Sequence, residues 1–237
     1  MKFALVGHPV AGSLSPVLFE AAYGGKYKYF LEDCPSFADA WKLLDTYEGF
    51  NVTAPYKQDA FRACRELSSN ARRSGAVNLV LRDGLRGYNT DVDGVVWSLK
   101  GVPAGTALVV GTGGAARAAI TGAQELGFEV SVWGRSTAKV AELERQFGLS
   151  RSALAPSLVI YTLPGSAPVP GEIAGLCRDA VVLEANYRDP RLCEVECRRY
   201  IFGHEWLLGQ AAAGYELFTG KAPDIAAMAA AMERILQ

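Results

Sequence analysis

The chain has 237 residues, enough for one large domain or two small ones. Half of the residues are hydrophobic and 21% are charged, which excludes disorder and permits a sizeable core. Its 24 basic and 25 acidic side chains leave a net charge of -1, so charge gives no case for nucleic acid or an anionic membrane surface as partner.

Lys2 to Val6 reads as a buried strand, too short for a signal-peptide core before Gly7-His8-Pro9. Ser15-Pro16 places an N-cap hydroxyl before an N1 proline and opens a helix to about Tyr23. Tyr27 to Glu32 gives a second strand, Ser36 to Tyr47 a second helix, and Gly49 to Thr53 a short strand ending at Ala54-Pro55. Asp83-Gly84 between Ala76 to Arg82 and Leu85 to Tyr88 is a hairpin signal, so an antiparallel pair is expected there. A helix at Asp91 to Leu99 leads into Gly101-Val102-Pro103-Ala104-Gly105, which has the composition of a linker.

The pattern then restarts. Thr106 to Val110 is a strand, Gly111 to Gly113 a turn, Ala115 to Leu126 a helix and Glu129 to Trp133 a strand, making one βαβ unit. Ser157 to Tyr161 and Ala180 to Glu184 are two further buried strands, and Trp206 to Phe218 and Pro223 to Leu236 are closing amphipathic helices. Short apolar runs alternating with helical segments define an α/β class. No apolar stretch reaches the ~18 residues of a membrane span. Five scattered cysteines, an odd number, suggest free thiols in a reducing, cytoplasmic setting.

Gly111-Thr112-Gly113-Gly114-Ala115-Ala116 fits G-x-G-x-x-G/A between a strand and a helix, where backbone N-H groups and the helix N-terminus can hold a pyrophosphate. Where an NAD enzyme carries an acidic residue, this chain has Arg135, whose guanidinium suits a ribose 2'-phosphate. The expected cofactor is therefore NADP, with Ser136 and Lys139 adding a hydroxyl and a second positive charge on that loop. Cys193, Cys197 and His204 lack a fourth ligand and the paired spacing of a zinc site, so no metal is expected. In the first half, Ser13, Ser15, Thr53, Lys57, Asn78, Asn89, Thr90 and Asp91 lie at element ends, as binding of a polyhydroxylated ligand requires. Each alone is more readily explained as a cap or turn residue.

Together these segments resemble the shikimate dehydrogenase family, including its quinate/shikimate relatives, over nearly the whole chain. Gly7-His8-Pro9 with Ser13-Leu14-Ser15-Pro16 is similar to the family's G-x-P...S-x-S-P, Asn51 to Lys57 to its N-V-T-x-P-x-K, and Gly75 to Asn78 to its G-A-V-N. Tyr88 to Gly94 is similar to x-N-T-D-x-x-G, and Leu207 to Ala212 to the late Q-A segment. The resemblance implies substrate contacts at Ser13, Ser15, Thr53, Asn78, Thr90 and Gln210, with Tyr187 near the nicotinamide, and Lys57 and Asp91 as the catalytic pair. It implies cofactor contacts at Gly111, Gly113, Gly114, Ala115, Ala116, Arg135, Ser136 and Lys139.

The fold implied is an N-terminal α/β substrate domain, 1–98 with returning C-terminal helices 206–237, and a doubly wound Rossmann NADP domain, 99–205. The activity implied is reversible NADP-dependent reduction of 3-dehydroshikimate to shikimate. A quinate or aminoshikimate-type dehydrogenase and a non-catalytic metabolite-binding module remain as alternatives, in a monomer or homodimer. The chain departs from the family pattern at Gly12, where His is frequent, at Gly134, where Asn is usual, and at Glu184, where Asp is expected.

Overall fold

A computed structural model describes residues 1–149 and 155–236. Its elements run, in chain order, β1 (Lys2–Gly7), α1 (Ser15–Tyr23), β2 (Lys28–Asp33), α2 (Phe37–Lys42), β3 (Gly49–Val52), α3 (Lys57–Ala63), β4 (Glu66–Leu67), α4 (Ser69–Ser74), β5 (Leu79–Leu81), β6 (Arg86–Tyr88) and α5 (Asp91–Ser98). They continue with β7 (Thr106–Val110), α6 (Gly114–Glu125), β8 (Glu129–Trp133), α7 (Thr137–Phe147), β9 (Leu158–Tyr161), α8 (Gly171–Cys177), β10 (Val181–Glu184), β11 (Arg199–Ile201), α9 (Gly203–Thr219) and α10 (Ile225–Leu236). The described chain divides into two compact units, 1–90 with 210–237 and 91–209. No helix among the described residues is long and apolar enough to cross a membrane.

The first unit is built on a six-stranded sheet in the order β2-β1-β3-β5-β6-β4. β1 runs parallel to β2 and β3, while β5 is antiparallel to both β3 and β6. The antiparallel pair expected around Asp83-Gly84 is therefore present, with its loop tightened into a 3-10 turn at Asp83–Leu85. Period-two alternation divides β1 between two cores. Ala4 and Val6 pack with Phe50, Val52, Val80 and the α2 residue Ala40, whereas Phe3 stacks on Phe218, which with Phe19 and Tyr215 forms an aromatic cluster on the other face.

Two local expectations are corrected. Ser15 is not the N-cap of α1. Leu14 holds that position, no side chain caps the helix, and Ser15 is already inside it, with its N-H donating to Ser13 Oγ at 3.3 Å. The helix expected over Ser36 to Tyr47 stops at Lys42 and tightens into a 3-10 turn at Leu43–Asp45. Its true N-cap is Ser36, whose Oγ accepts from Asp39 N.

The second unit has a five-stranded, all-parallel sheet in the order β11-β10-β9-β7-β8. Ala107, Val109, Leu158, Ile160, Val181 and Leu183 face one core with α5 and α6 residues. Leu108, Val110, Val159, Tyr161 and Val182 face the opposite core with Ile173 and Cys177 of α8. Helices thus cover both faces, as in a doubly wound fold. The strand order reverses between β7 and β9, which creates a crevice beyond their carboxyl ends.

Candidate functional site

In the first unit, polar side chains stand on the loop after β1, at the end of β3, before β5 and after β6. Ser13 Oγ donates to Ser15 Oγ at 3.1 Å. The Asn78 carboxamide accepts from Thr90 N at 2.7 Å, donates to Thr90 Oγ1 at 3.1 Å, and donates to Gln210 Oε1 at 3.4 Å. Gln210 on α9 is 132 positions from Asn78, so the closing helices do return to this face of the unit. Asn78 and Thr90 are buried at 3% and 2% exposure. Side-chain amides and hydroxyls this deep are kept only where they have partners, which these provide for one another.

Lys57 is the first residue of α3, and its carbonyl accepts from Val77 N at 2.9 Å, fixing its backbone beside the residue before Asn78. Thr53 is held by its N-H to Val6 O and by Tyr56 N to its own carbonyl. Asp91 directly follows Thr90 and starts α5, where its carboxylate lies in the first helical turn, favourable for the helix dipole. The structure thus brings Ser13 with Ser15, and Asn78 with Thr90 and Gln210, while Tyr187 and Asp91 belong to the second unit.

Two residues absent from the sequence-based site extend the set. Tyr29 on β2 donates its hydroxyl to Asn51 Oδ1 at 2.7 Å, and Asn51 Nδ2 donates to Asn78 O at 3.1 Å. Burial lifts the Tyr29 phenol well above its ordinary value, the Tyr215 phenol adding to the effect and a hydrogen bond with Ser15 opposing it. Tyr215 Oη in turn donates to the Ser15 carbonyl at 2.9 Å. A sequence signal existed for Asn51, a lone amide in an otherwise apolar, fully buried strand. None existed for Tyr29, because an aromatic residue in a strand is ordinary packing.

Gly12, where the family pattern has His, takes φ +89°, a left-handed conformation that disfavours any side chain. The turn it makes leads to Ser13, whose N-H donates to Val10 O at 3.1 Å.

In the second unit a cleft of about 380 Å³ is lined by Gly111, Thr112, Gly134, Arg135, Ser136, Lys139 and Leu163. These residues follow the ends of β7, β8 and β9, at the reversal of strand order where such sheets bind ligands. α6 begins at Gly114 with Gly113 as its cap, no side chain satisfies its first N-H groups, and its first turn holds no acidic residue. Those donors face an anion site by default. Gly111 has φ +127°, and a Cβ there would collide with Thr162 Oγ1. A Cβ on Gly134 would stand 2.6 Å from Thr112 Cγ2, so the small residue keeps the two loops in contact.

Arg135 and Lys139 are exposed on the cleft. Ser136 also caps α7, its Oγ accepting from Lys139 N at 3.4 Å. Ala115 and Ala116 lie in the first turn of α6, Ala116 fully buried against the core. Backbone donors, a glycine turn without side chains and two cations fit a phosphorylated dinucleotide.

Glu184, in place of Asp, is completely buried at the end of β10. Its carboxylate accepts from Arg191 N at 2.7 Å, Leu192 N at 2.9 Å and Tyr200 Oη at 2.7 Å. The longer side chain therefore fastens the loop that carries Tyr187. In the same loop Asn186 Nδ2 donates to Leu163 O, at the edge of the cleft. Among the described residues no group of three His, Cys, Asp or Glu is placed to hold a metal ion.

Residues 5–80 match the shikimate dehydrogenase substrate binding domain family, and residues 203–233 match the shikimate 5'-dehydrogenase C-terminal domain. The whole chain is similar to a shikimate dehydrogenase (NADP(+)) of Thermus thermophilus, 35% identical over 100% of this chain and 99% of that protein. The shikimate dehydrogenase of Mycobacterium tuberculosis superposes with a TM-score of 0.86, 31% identity and 99% coverage of both chains. The Thermus thermophilus shikimate 5-dehydrogenase, solved in complex with NADP(H) and shikimate, superposes with a TM-score of 0.85 at 32% identity, again covering 99% of each chain.

Proposed function

The chain belongs to the shikimate dehydrogenase family, and from that premise we propose how its residues divide the work of NADP-dependent interconversion of 3-dehydroshikimate and shikimate. The first unit is the substrate-binding part and the second holds the cofactor. The observation that carries the reading is the Asn78 carboxamide, which joins Thr90, 12 positions on, with Gln210, 132 positions on, in one polar group. With Ser13, Ser15 and Thr53 this group offers alternating donors and acceptors suited to ring hydroxyls. Tyr187 adds a contact from the loop that Glu184 fastens.

NADP would be held by the Gly111 to Ala116 turn and the first N-H groups of α6, with Arg135, Lys139 and Ser136 at its 2'-phosphate. When bound, NADPH supplies the hydride. A carbonyl carbon that gains hydride leaves negative charge on oxygen, so the chain must supply a proton there. Lys57 is the donor, since an ammonium both neutralises the developing charge and carries the proton. Asp91 is assigned as its partner in the proton transfer. In the oxidative direction Lys57 takes the proton back from the C3 hydroxyl.

The test is nicotinamide absorbance with purified protein, NADP and NAD being offered separately with shikimate and with quinate. Turnover of shikimate with NADP is expected. Turnover of quinate in preference would overturn the substrate assignment, and no turnover of either would overturn the enzymatic one.

A further inference from the structure

α7 follows directly on Arg135, has Ser136 as its cap and carries Lys139 in its first turn, so its placement decides where these three cleft residues stand. Its apolar hold on the second unit is slight. Leu143 is its single buried side chain, with Phe147 partly buried in the same core. So thin a stripe leaves the rotation and slide of a helix open. Polar ties from α6 close them. Arg117, 5% exposed, donates through Nη2 to Glu142 Oε1 at 2.7 Å and through Nη1 to Gln146 Oε1, and Gln124 Nε2 donates to Phe147 O at 2.9 Å. Glu142 and Gln146 are four positions apart and share one face of α7, where the two arms of a planar guanidinium meet both. Arg117 Nε has no hydrogen-bond partner among the described residues, so the donors that are used all point at α7.

A buried cation is a costly way to pack two helices, since an apolar side chain of like volume often does as well or better. What it adds is direction. Arg117 N donates to Gly113 O at 3.1 Å and closes the first turn of α6, the turn whose free N-H groups are offered to a pyrophosphate. One residue therefore grips the glycine turn by its backbone and α7 by its side chain. Gly134 stands between Thr112 of the glycine turn and Val140 of α7, so a shift of α7 passes to the loop that carries Arg135. We infer that Arg117 is a positioning residue for cofactor specificity: it sets the spacing between the glycine turn and the segment from Arg135 to Lys139, so that one adenosine bearing phosphate at both its 5' and 2' positions spans them. The inference rests on the assignment of NADP to this cleft. A ligand held at one end tolerates a change of spacing, whereas a ligand held at both ends does not.

Isothermal titration of the free protein with adenosine 2',5'-bisphosphate and with adenosine 5'-diphosphate tests this, the first probe reaching both ends and the second only the glycine turn. Arg117→Met keeps an unbranched apolar stem between the helices and leaves Glu142, more than half exposed, to water. It should raise the dissociation constant for the bisphosphate about tenfold, the loss of one charge-assisted hydrogen bond, and leave that for the diphosphate within about twofold. Glu142→Ala, at an exposed position that leaves the fold undisturbed, should show the same selective loss at about threefold, and Glu142→Gln, which keeps an acceptor for the guanidinium, should restore the affinity. A merely structural role for Arg117 would weaken both probes together. Equal losses with the two probes in either variant, or a bisphosphate affinity unaltered by Arg117→Met and Glu142→Ala, would overturn the inference. Failure of the reading beneath it has a different signature: the unaltered chain would bind the two probes equally well and Arg135→Ala would change neither, and the inference would fall with the cofactor assignment.

Discussion

Lys57 and Tyr29 are assigned different work, and kinetics separates them. In the proposed mechanism Lys57 donates the proton in the chemical step, so Lys57→Ala should lower kcat by about 10²- to 10⁴-fold while KM for shikimate changes far less, because the proposed hydroxyl and amide contacts still hold the ring. A folded Lys57→Ala protein with near-normal kcat would sink the mechanism. Tyr29 reaches the site through Asn51, so it is a positioning residue. Tyr29→Phe removes the phenol's hydrogen bonds with Asn51 and Ser15, each worth ~1 kcal/mol, which should raise KM at least about fivefold and leave kcat unchanged. A fall in kcat instead would place the phenol in the chemistry. Arg135→Ala should depress kcat/KM with NADP much more than with NAD, since only the 2'-phosphate loses a charged partner. Equal losses with both cofactors would remove Arg135 from that role. At this scale the sequence was legible where a residue stood in a motif, as Asn78 and Gln210 did. It was silent on Tyr29, whose role depends on which strand faces it across the sheet.

The glycine turn separates what an element needs for folding from what it keeps for a ligand. Gly111 has a positive φ and Thr162 directly beside it, so Gly111→Ala should cost roughly 1–3 kcal/mol of stability whether or not cofactor is present. Gly113 differs, with φ -90° and nothing within 4 Å of an added Cβ. Gly113→Ala should therefore leave the thermal midpoint of the free protein unchanged while weakening NADPH binding measured by fluorescence titration. A stability loss there, or unaltered binding, would contradict the proposed approach of phosphate to this turn.

Behind the turn, α6 and α7 are tied together by buried Arg117, which donates to Glu142 at 2.7 Å and to Gln146. The sequence reading did not include α7, nor α3, α4 or α8, although α6 was legible. α3, α4 and α8 have seven, six and seven residues, about two turns, too short for a 3.6-residue period to repeat convincingly. α7 is longer but buries a single residue, Leu143, so its apolar stripe is thin. β4 and β11 escape for a related reason. Strands of two and three residues owe their existence to the neighbours they pair with.

For the molecule as a whole, the alternation of short apolar runs with helical segments was enough to give two α/β parts, because buried parallel strands such as Leu108–Val110 and Leu158–Tyr161 are continuous in sequence. The same burial sets the alkaline limit of both. In the first unit Tyr47 is pushed up by burial and by the Glu32 carboxylate that accepts its hydroxyl, and burial raises the Cys64 thiol to about 12. In the second unit Tyr200 is pushed up by burial and by Glu184, and the Cys177 thiol is raised to about 11, chiefly by burial. All these groups hold their protons more tightly folded than unfolded. The unfolded chain therefore loses protons first as pH rises, and stability that is complete below the ordinary thiol and phenol values, near 8.5 and 10, falls once pH passes them. Each such group steepens the fall by at most about 1.4 kcal/mol per pH unit. Urea midpoints should be level from about pH 7 to about pH 8 and drop clearly by about pH 10.5, with the tyrosinate absorbance of buried phenols such as Tyr47 and Tyr200 appearing only as the chain unfolds. Tyr200→Phe should make the alkaline limb shallower, since Glu184 keeps its bonds from Arg191 and Leu192 and one titrating group is gone. Midpoints level through pH 10.5, or tyrosinate forming fully in the folded protein, would show that these phenols are not held protonated by the fold.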